Sequence, residues 1–354
     1  MTGLHTDLIR RISETGPITL ADFMATCLMD PTHGYYATRD PFGTDGDFVT
    51  APEISQMFGE LLGLCLAQSW LDQGQPAPFI LAELGPGRGT LMADILRATR
   101  AMPGFAEAAE VHFVEGSSAL RRIQAKTVGR DDIVWHSHIE SLPDAPLWLV
   151  ANEFFDALPI RQFQRHDDAW RERVVGVQDQ TLAFGLGGPV DPPALTERLD
   201  DTRDGDLVEI CGPGEAIAAG IGHRIATQGG VALIVDYGDW HSLGDTFQAV
   251  QGHAPVDPLS EPGAADLTAH VDFEALARAS APCAHTRLTP QGVFLERLGI
   301  GARAEALARN LDGPARENHL AAYRRLTDPA EMGRLFKVLG LYPETATPPP
   351  GLDP

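Results

Sequence analysis

The sequence has few cysteines, no cysteine pairs and no long apolar runs, and each shortage excludes a class of protein. Its four cysteines (Cys27, Cys65, Cys211 and Cys283) lie far apart with no CxxC spacing, so we expect buried thiols and neither disulfides nor a bound metal. No stretch approaches the roughly 18 apolar residues of a membrane span. Residues 1–24 lack the apolar core of a secretory signal. We therefore predict a cytoplasmic protein without membrane insertion.

Basic side chains are also scarce, because 27 Lys and Arg stand against 49 Asp and Glu, for a formal net charge of -22. Such a surface repels a phosphate backbone, so we expect no nucleic-acid partner. Solubility alone is a sufficient explanation of the acidic charge. The chain has 354 residues, 44% of them hydrophobic, which is enough for one large domain or two modest ones.

Short apolar runs alternate with helical segments from residue 79 onward: FILAEL, TLMADILRA, VHFVEG, SSALRRIQAKTV, DIVWHS and LWLVANEFF. This alternation predicts βαβ units and an α/β fold with a mostly parallel sheet. We predict an N-terminal helical segment over 1–75. The main domain should cover 76–300, with α+β insertions at about 160–187 and 239–270, and C-terminal helices and a tail should follow over 301–354.

A glycine-rich turn, ELGPGRG, joins the first strand of this pattern to its helix, with glycines at 85, 87 and 89. Glycines at such a turn let the backbone approach a ligand. Dinucleotide enzymes carry a GxGxxG turn at the same place. Here the spacing is GxGxG and Glu83 precedes it; a carboxylate would repel a pyrophosphate but attract the ammonium and sulfonium of S-adenosylmethionine. A tight turn that holds no ligand is the plainer alternative.

Further candidates follow the next strands. Glu115 ends the second strand, where it could accept hydrogen bonds from two ribose hydroxyls, and Ile139 lies where an adenine would sit. Asn152, Glu153 and Asp156 follow a buried strand at the edge where α/β sheets bind ligands. Carboxylates there could clamp a guanidinium and aim its nitrogen at a sulfonium methyl group. Alternatively, Glu153 and Asp156 hold the loop through backbone hydrogen bonds.

Several long strings, in order along the chain, resemble the MidA family of S-adenosylmethionine-dependent methyltransferases. They include GDFVTAPEISQMFGE (46–60), ELGPGRGTL (83–91), ANEFFDALPIRQF (151–163) and DLTAHVDF (266–273). The resemblance implies a class I methyltransferase (Rossmann-like) fold and ω-N dimethylation of arginine in a peripheral-arm subunit of respiratory complex I. By position, it also implies a lid over the cofactor made by Asp47, Phe48, Thr50 and Pro52. A packed loop and helix start would explain Thr50 and Pro52 equally well.

These observations lead to one principal hypothesis and two competitors. The principal hypothesis is a protein-arginine methyltransferase that uses Glu153 and Asp156 on its substrate. Its cofactor site would consist of Glu83, Gly85, Gly87, Gly89, Glu115, Ile139, Asn152, Thr50 and Pro52. The first competitor is a complex I assembly chaperone with a non-catalytic cofactor site. The second is a nicotinamide-dependent oxidoreductase, which would have to place a pyrophosphate beside Glu83.

Overall fold

The computed structural model of the protein describes residues 3–38 and 49–354. The helices are α1 (Gly3–Thr15), α2 (Leu20–Met29), α3 (Tyr35–Thr38), α4 (Ala51–Ile54), α5 (Gln56–Asp72), α6 (Thr90–Thr99), α7 (Phe105–Ala108), α8 (Ser118–Val128), α9 (Gly212–Gln228), α10 (Phe273–Ala279), α11 (Gln291–Arg297), α12 (Ile300–Ala308), α13 (Gly313–Thr327) and α14 (Met332–Leu335). Among these described helices, none has the length and apolar character needed to cross a bilayer.

The strands are numbered β1 to β17. Several alternate with helices in the first half of the chain, and others follow one another directly within the two insertions. They are β1 (Ile18–Thr19), β2 (Phe79–Leu84), β3 (Ala109–Val114), β4 (Val134–His136), β5 (Leu147–Asn152), β6 (Arg161–His166), β7 (Ala169–Gln178), β8 (Thr181–Val190), β9 (Leu207–Ile210), β10 (Gly230–Asp239), β11 (Gln248–Gln251), β12 (Ala254–Val256), β13 (Asp266–Thr268), β14 (Val271–Asp272), β15 (Ala284–His285), β16 (Thr289–Pro290) and β17 (Phe336–Tyr342).

Contacts group the chain into two compact units, each built from separate stretches of sequence. Unit 2 contains Val49–Phe155, Glu215–Gly238 and Phe273–Pro354. Unit 1 contains the described part of 1–48 together with Asp156–Gly214 and Asp239–Asp272. The sequence predicts three domains that follow one another along the chain. In the structure, the first helices instead form one unit with the two predicted insertions.

The main sheet of unit 2 has the strand order β15-β17-β10-β5-β2-β3-β4. The strands β10, β5, β2, β3 and β4 run parallel, as the alternation in the sequence predicts. All six residues of β2 and all six of β5 are buried, which fits strands covered on both faces. Around them, a cluster of large aromatic side chains fills the core: Trp70, Phe79, Phe105 and Trp148.

The C-terminal segment contains a strand that the prediction of helices over 301–354 missed. β17 pairs antiparallel with β10, with Ile234 opposite Leu339. Its apolar run is buried at nearly every position, so the sequence carries no period that separates a strand from a buried helix. Pairing with the neighbouring strand decides the outcome, because β17 satisfies the backbone groups of β10 on that side.

Unit 1 has two antiparallel sheets and the first three helices. One sheet has the order β1-β7-β6-β9, with β8 also pairing with β7, and the other has the order β12-β11-β13. The hairpins of residues 160–187 therefore form a small sheet, as the sequence predicts. A buried network around Glu209 connects the second insertion to this sheet: Gln162 Nε2 donates to Glu209 at 2.7 Å and to Asp245 at 2.8 Å.

Glycines allow α5 and α6 of unit 2 to pack at very short range. A Cβ at Gly63 would lie 2.9 Å from Cα of Ile95, and one at Gly59 would lie 2.6 Å from Cβ of Asp94. Since the close neighbour of Gly63 is backbone, it cannot move aside as a flexible side chain could. This contact fixes the helix that follows the glycine turn.

We predict that Gly63→Ala destabilises the protein by about 1–3 kcal/mol, the usual cost of overpacking a dense core. Gly220→Ala is the matched control, because Gly220 also lies within a helix but has open space at its Cβ. Alanine there should stabilise by about 0.5–1 kcal/mol through helix propensity. Urea unfolding of both variants measures the difference, and equal effects of the same sign would contradict this account of the α5–α6 contact.

Candidate active site

Three strands of unit 2 end side by side, and polar side chains follow each of them. In the parallel register, Leu84 of β2 lies opposite Val114 of β3 and Ala151 of β5. Glu115 comes directly after Val114, and Asn152 comes directly after Ala151 and is the last residue of β5. Glu83 therefore lies at the same sheet edge as both of them. The structure brings together the acidic residues and the amide that the sequence placed at successive strand ends.

The glycine turn between β2 and α6 needs glycine for its backbone conformation. Gly85, Gly87 and Gly89 have φ values of 57°, 49° and 83°, in the left-handed region. A Cβ at Gly85 would lie 2.8 Å from Cδ2 of Phe154, so a side chain does not fit there. The amide of Gly89 donates to the carbonyl of Pro86 at 2.7 Å, which closes the turn.

Glu83 is a buried carboxyl, only 3% exposed, at the end of β2. It accepts a hydrogen bond from the amide of Met92 in the first turn of α6, while its Oε2 has no hydrogen-bond partner among the described residues. Burial raises the pKa of Glu83 to about 8, and the Met92 amide lowers it only in part. A buried acid of this kind becomes ionised most readily when a cation binds beside it.

Asn152 adds a second buried acceptor at this edge. Its Nδ2 donates to Oε1 of Glu153 at 3.0 Å, and its Oδ1 is buried with no partner in the described part of the chain. Buried oxygens without donors are costly unless a ligand supplies the donors. An ammonium has three N–H donors and a positive charge, so the oxygens of Glu83 and Asn152 fit the amino-acid end of S-adenosylmethionine.

Hydrogen bonds from neighbouring donors hold the carboxylate of Glu115. Oε1 accepts from the amide of Ser117 at 2.7 Å, and Oε2 accepts from Nε2 of Gln124 at 3.1 Å. Burial raises the pKa of Glu115, while these hydrogen bonds oppose the rise. Gln124 is not among the site residues predicted from the sequence; its signal there is its position four residues after the buried Leu120, on the inner face of α8.

Ile139 is buried in a short 3₁₀ segment that follows β4, at the predicted adenine position. His136, the last residue of β4, is paired: its Nε2 lies 2.9 Å from Nδ1 of His112, and its Nδ1 lies 2.8 Å from Oγ of Ser141.

Among the described residues, one group of three side chains lies close enough together to hold a metal ion, and it is exposed on unit 1: His166, Asp167 and Asp204. The prediction that no metal is bound stays a prediction.

The short helix α4 bridges two parts of the candidate site. The amide of Ala51 donates to Oε1 of Glu153 at 3.0 Å, and Oγ1 of Thr90 donates to Oε1 of Glu53 at 2.6 Å. Within α4, Pro52 is buried and Thr50 caps the helix without a side-chain hydrogen bond. The helix start that would explain Thr50 and Pro52 is therefore present, next to the glycine turn. Asp47 and Phe48 lie outside the described residues.

Glu153 follows β5 in a left-handed conformation, with φ of 51°, and its amide donates to the carbonyl of Val235 at 2.9 Å. A non-glycine residue in this region is uncommon and often marks a functional position. The turn after it is held by Asp236, a fully buried residue of β10 whose Oδ2 accepts from the amides of Phe154 at 3.2 Å and Phe155 at 3.0 Å. Asp236 thus positions the loop that carries Glu153.

Asp156 belongs to unit 1, whereas Glu153 belongs to unit 2. Asp156 is buried, and its carbonyl accepts from the amide of Ala269 at 2.9 Å. Burial, followed by the charges of Asp266 and Asp156, raises the pKa of Tyr36, whose hydroxyl donates to Asp266 at 2.8 Å. The structure therefore places the two predicted catalytic acids among different neighbours.

Comparison with known families gives the class of this protein. Residues 61–291 match the family of S-adenosyl-L-methionine-dependent methyltransferases. A protein from Burkholderia thailandensis, solved in crystals bound to S-adenosyl-homocysteine, has a TM-score of 0.81 and 27% identity, and the match covers 99% of this chain and 92% of that one. The chain belongs to this methyltransferase family.

Curated relatives are similar over nearly the whole chain. "Protein arginine methyltransferase NDUFAF7, mitochondrial" of Bos taurus is 37% identical over 97% of this chain and 84% of its own length. The Homo sapiens protein of the same name has the same identity and coverage. The predicted family, the class I methyltransferase fold and the cofactor S-adenosylmethionine are thereby confirmed; the individual site residues stay predictions.

The prediction of a cytoplasmic location is wrong, because the curated relatives are mitochondrial proteins by name. That prediction rested on the lack of a secretory signal and of membrane spans. Neither feature separates a cytoplasmic protein from a mitochondrial one, since import segments are amphipathic and lack a long apolar core.

The raised pKa of Glu83 leads to a pH-dependent affinity. Below pH 8 the carboxyl is neutral in the free protein, and a bound ammonium favours its ionised form, so binding releases a proton and strengthens as pH rises to about 8. We predict that the ratio of S-adenosylhomocysteine affinities, wild type over Glu83→Gln, grows by up to about tenfold per pH unit between pH 6 and 8. Calorimetric titration measures this ratio.

The N-acetyl derivative of the same ligand is the control for this prediction. It lacks the ammonium, so its affinity ratio should stay flat over the same pH range. The glutamine isostere keeps an oxygen for the Met92 amide and so preserves the start of α6. A flat ratio for the unmodified ligand would show that Glu83 does not face its ammonium.

Proposed function

We propose that this protein methylates arginine ω-nitrogens of a protein substrate, a peripheral-arm subunit of respiratory complex I, during assembly of the complex. The observation that carries the proposal is the 37% identity over 97% of the chain with relatives named protein arginine methyltransferase. The complex I subunit rests on the MidA resemblance in the sequence.

The geometry of unit 2 supports a separate binding role for each residue of the cofactor site. We assign Glu83 and Asn152 to the ammonium of the cofactor, because each has a buried oxygen that receives no hydrogen bond from the residues that the structure describes. The glycine turn allows close approach of the backbone. Glu115 accepts the ribose hydroxyls, since the two oxygens of a carboxylate offer about four acceptor sites, more than its neighbouring donors use. When bound, the cofactor supplies an electrophilic methyl group on a sulfonium.

In this proposal, the acids that follow β5, Glu153 and Asp156, activate the substrate. A guanidinium must be held with one nitrogen aimed along the line of the breaking bond between sulfur and carbon. Glu153 is the candidate in unit 2, because the Ala51 amide and Asn152 fix one of its oxygens and its backbone is held in an uncommon conformation. We retain Asp156 as the second acid of the proposal, on the MidA resemblance and its buried side chain.

We predict that Glu153→Gln lowers turnover about 100-fold, the scale at which loss of one oriented charge in an active site acts. Affinity for S-adenosylhomocysteine should change less than about threefold, because the glutamine oxygen still accepts from Ala51. Glu107→Gln, an exposed acid on α7, is the charge-matched control. Initial rates with a substrate peptide and calorimetric titration give the two values, and unchanged turnover would remove Glu153 from catalysis.

The substrate itself is tested in cells that lack the gene for this chain. Mass spectrometry of purified complex I should show arginine methylation lost in the deletion strain and restored by the wild-type gene. Gly87→Val, which puts a branched side chain at a residue with φ of 49°, should fail to restore it. Complex I that assembles normally with Gly87→Val would favour the chaperone hypothesis, and unmethylated arginines in the wild type would refute the proposed substrate.

A further inference from the structure

Gln124 occupies a position that connects three elements of the cofactor site. It lies on α8, is 0% exposed, and uses every hydrogen-bonding group of its amide. Nε2 donates to the carbonyl of Gly87 at 2.9 Å and to Oε2 of Glu115 at 3.1 Å. Oε1 accepts from Nε1 of Trp135 on β4 at 2.9 Å.

These hydrogen bonds prevent the side-chain amide of Gln124 from flipping. Both N–H groups are spent on acceptors, and the oxygen faces the indole donor of Trp135. Reversing the amide would set its oxygen against the carbonyl of Gly87. The carbonyl of Gly87 therefore fixes the direction in which Gln124 donates to Glu115, and the bond from Trp135 agrees with it.

Glu115 gains a fixed orientation from this arrangement. A free glutamate side chain samples many rotamers, and holding one costs conformational entropy. Here the Ser117 amide holds one carboxylate oxygen and Gln124 holds the other. An acceptor that is already oriented binds two adjacent hydroxyls without that cost.

We propose that Gln124 is a positioning residue that sets Glu115 to accept the two ribose hydroxyls of the cofactor, and that it ties this recognition to the glycine turn. The inference rests on the proposed role of Glu115. It adds a residue that makes no contact with the ligand yet governs how strongly the ribose is recognised, as outer-shell partners do for ligating side chains.

The test compares two ligands that differ only at the ribose: S-adenosylhomocysteine and its 2′,3′-dideoxyribose analogue. Gln124→Met should weaken S-adenosylhomocysteine about tenfold or more, in the range that outer-shell partners contribute. It should change the affinity for the analogue less than about threefold, because the analogue offers no hydroxyls to Glu115. Binding of the analogue also verifies that the variant is folded.

Trp135→Phe is the matched control. It removes the donor to Oε1 of Gln124 and leaves both bonds that Gln124 donates. Both ligands should then bind within about threefold of the wild type. Equal weakening of the two ligands by Gln124→Met would overturn the inference, because Gln124 would then support the glycine turn in general and not Glu115.

A double-mutant cycle separates failure of this inference from failure of the role proposed for Glu115. Glu115→Gln should lose the difference between the two ligands, and adding Gln124→Met should remove nothing further. If Glu115→Gln keeps the difference, the proposed role of Glu115 falls. If Glu115→Gln loses it but Gln124→Met keeps it, only the inference on Gln124 falls.

Gln124→Glu provides a second route should the methionine variant not fold, since it has the same shape and still accepts from Trp135. The new carboxylate faces Glu115 and, when ionised, cannot donate to it, so the advantage of the ligand with hydroxyls should vanish. An advantage equal to that of the wild type would contradict the inference.

Discussion

Burial of the Glu83 carboxyl at the end of β2 is the constraint on which the candidate site depends. An ionised carboxylate without a compensating charge is expensive inside a protein, and this one has a single amide donor and an oxygen with none among the described residues. A cation bound beside the carboxylate would offset this free-energy cost. The glycine turn, the start of α6 and the side chains after β3 and β5 are arranged around that position.

Much of this arrangement could be predicted from the sequence, because it depends on order along the chain. Runs such as FILAEL and LWLVAN identify buried parallel strands, and the residues that end them must meet at one sheet edge. Glu83, Glu115 and Asn152 follow from that rule alone. The strand β17 could not be predicted, because a segment that is buried at nearly every position has no period that distinguishes a strand from a buried helix.

The residues that orient the site could not be predicted, because their roles depend on contacts between elements distant in sequence. Gln124 reaches the carbonyl of Gly87 across 37 positions, and Asp236 reaches the amide of Phe154 across 82. A glutamine on a helix and an acid at a strand end have many structural uses. Only the fold shows that one orients Glu115 and the other holds the loop that carries Glu153.

The most direct test of the account is the protonation state of Glu83 before and after ligand binding, observed by infrared difference spectroscopy at pH 7. With a pKa of about 8, Glu83 should be protonated in the free protein. Adding S-adenosylhomocysteine should remove a protonated-carboxyl band and create carboxylate bands, and Glu83→Gln should show neither change. A spectrum without loss of the carboxyl band, or the same change in the variant, would contradict the claim that this buried acid receives the cofactor's positive charge.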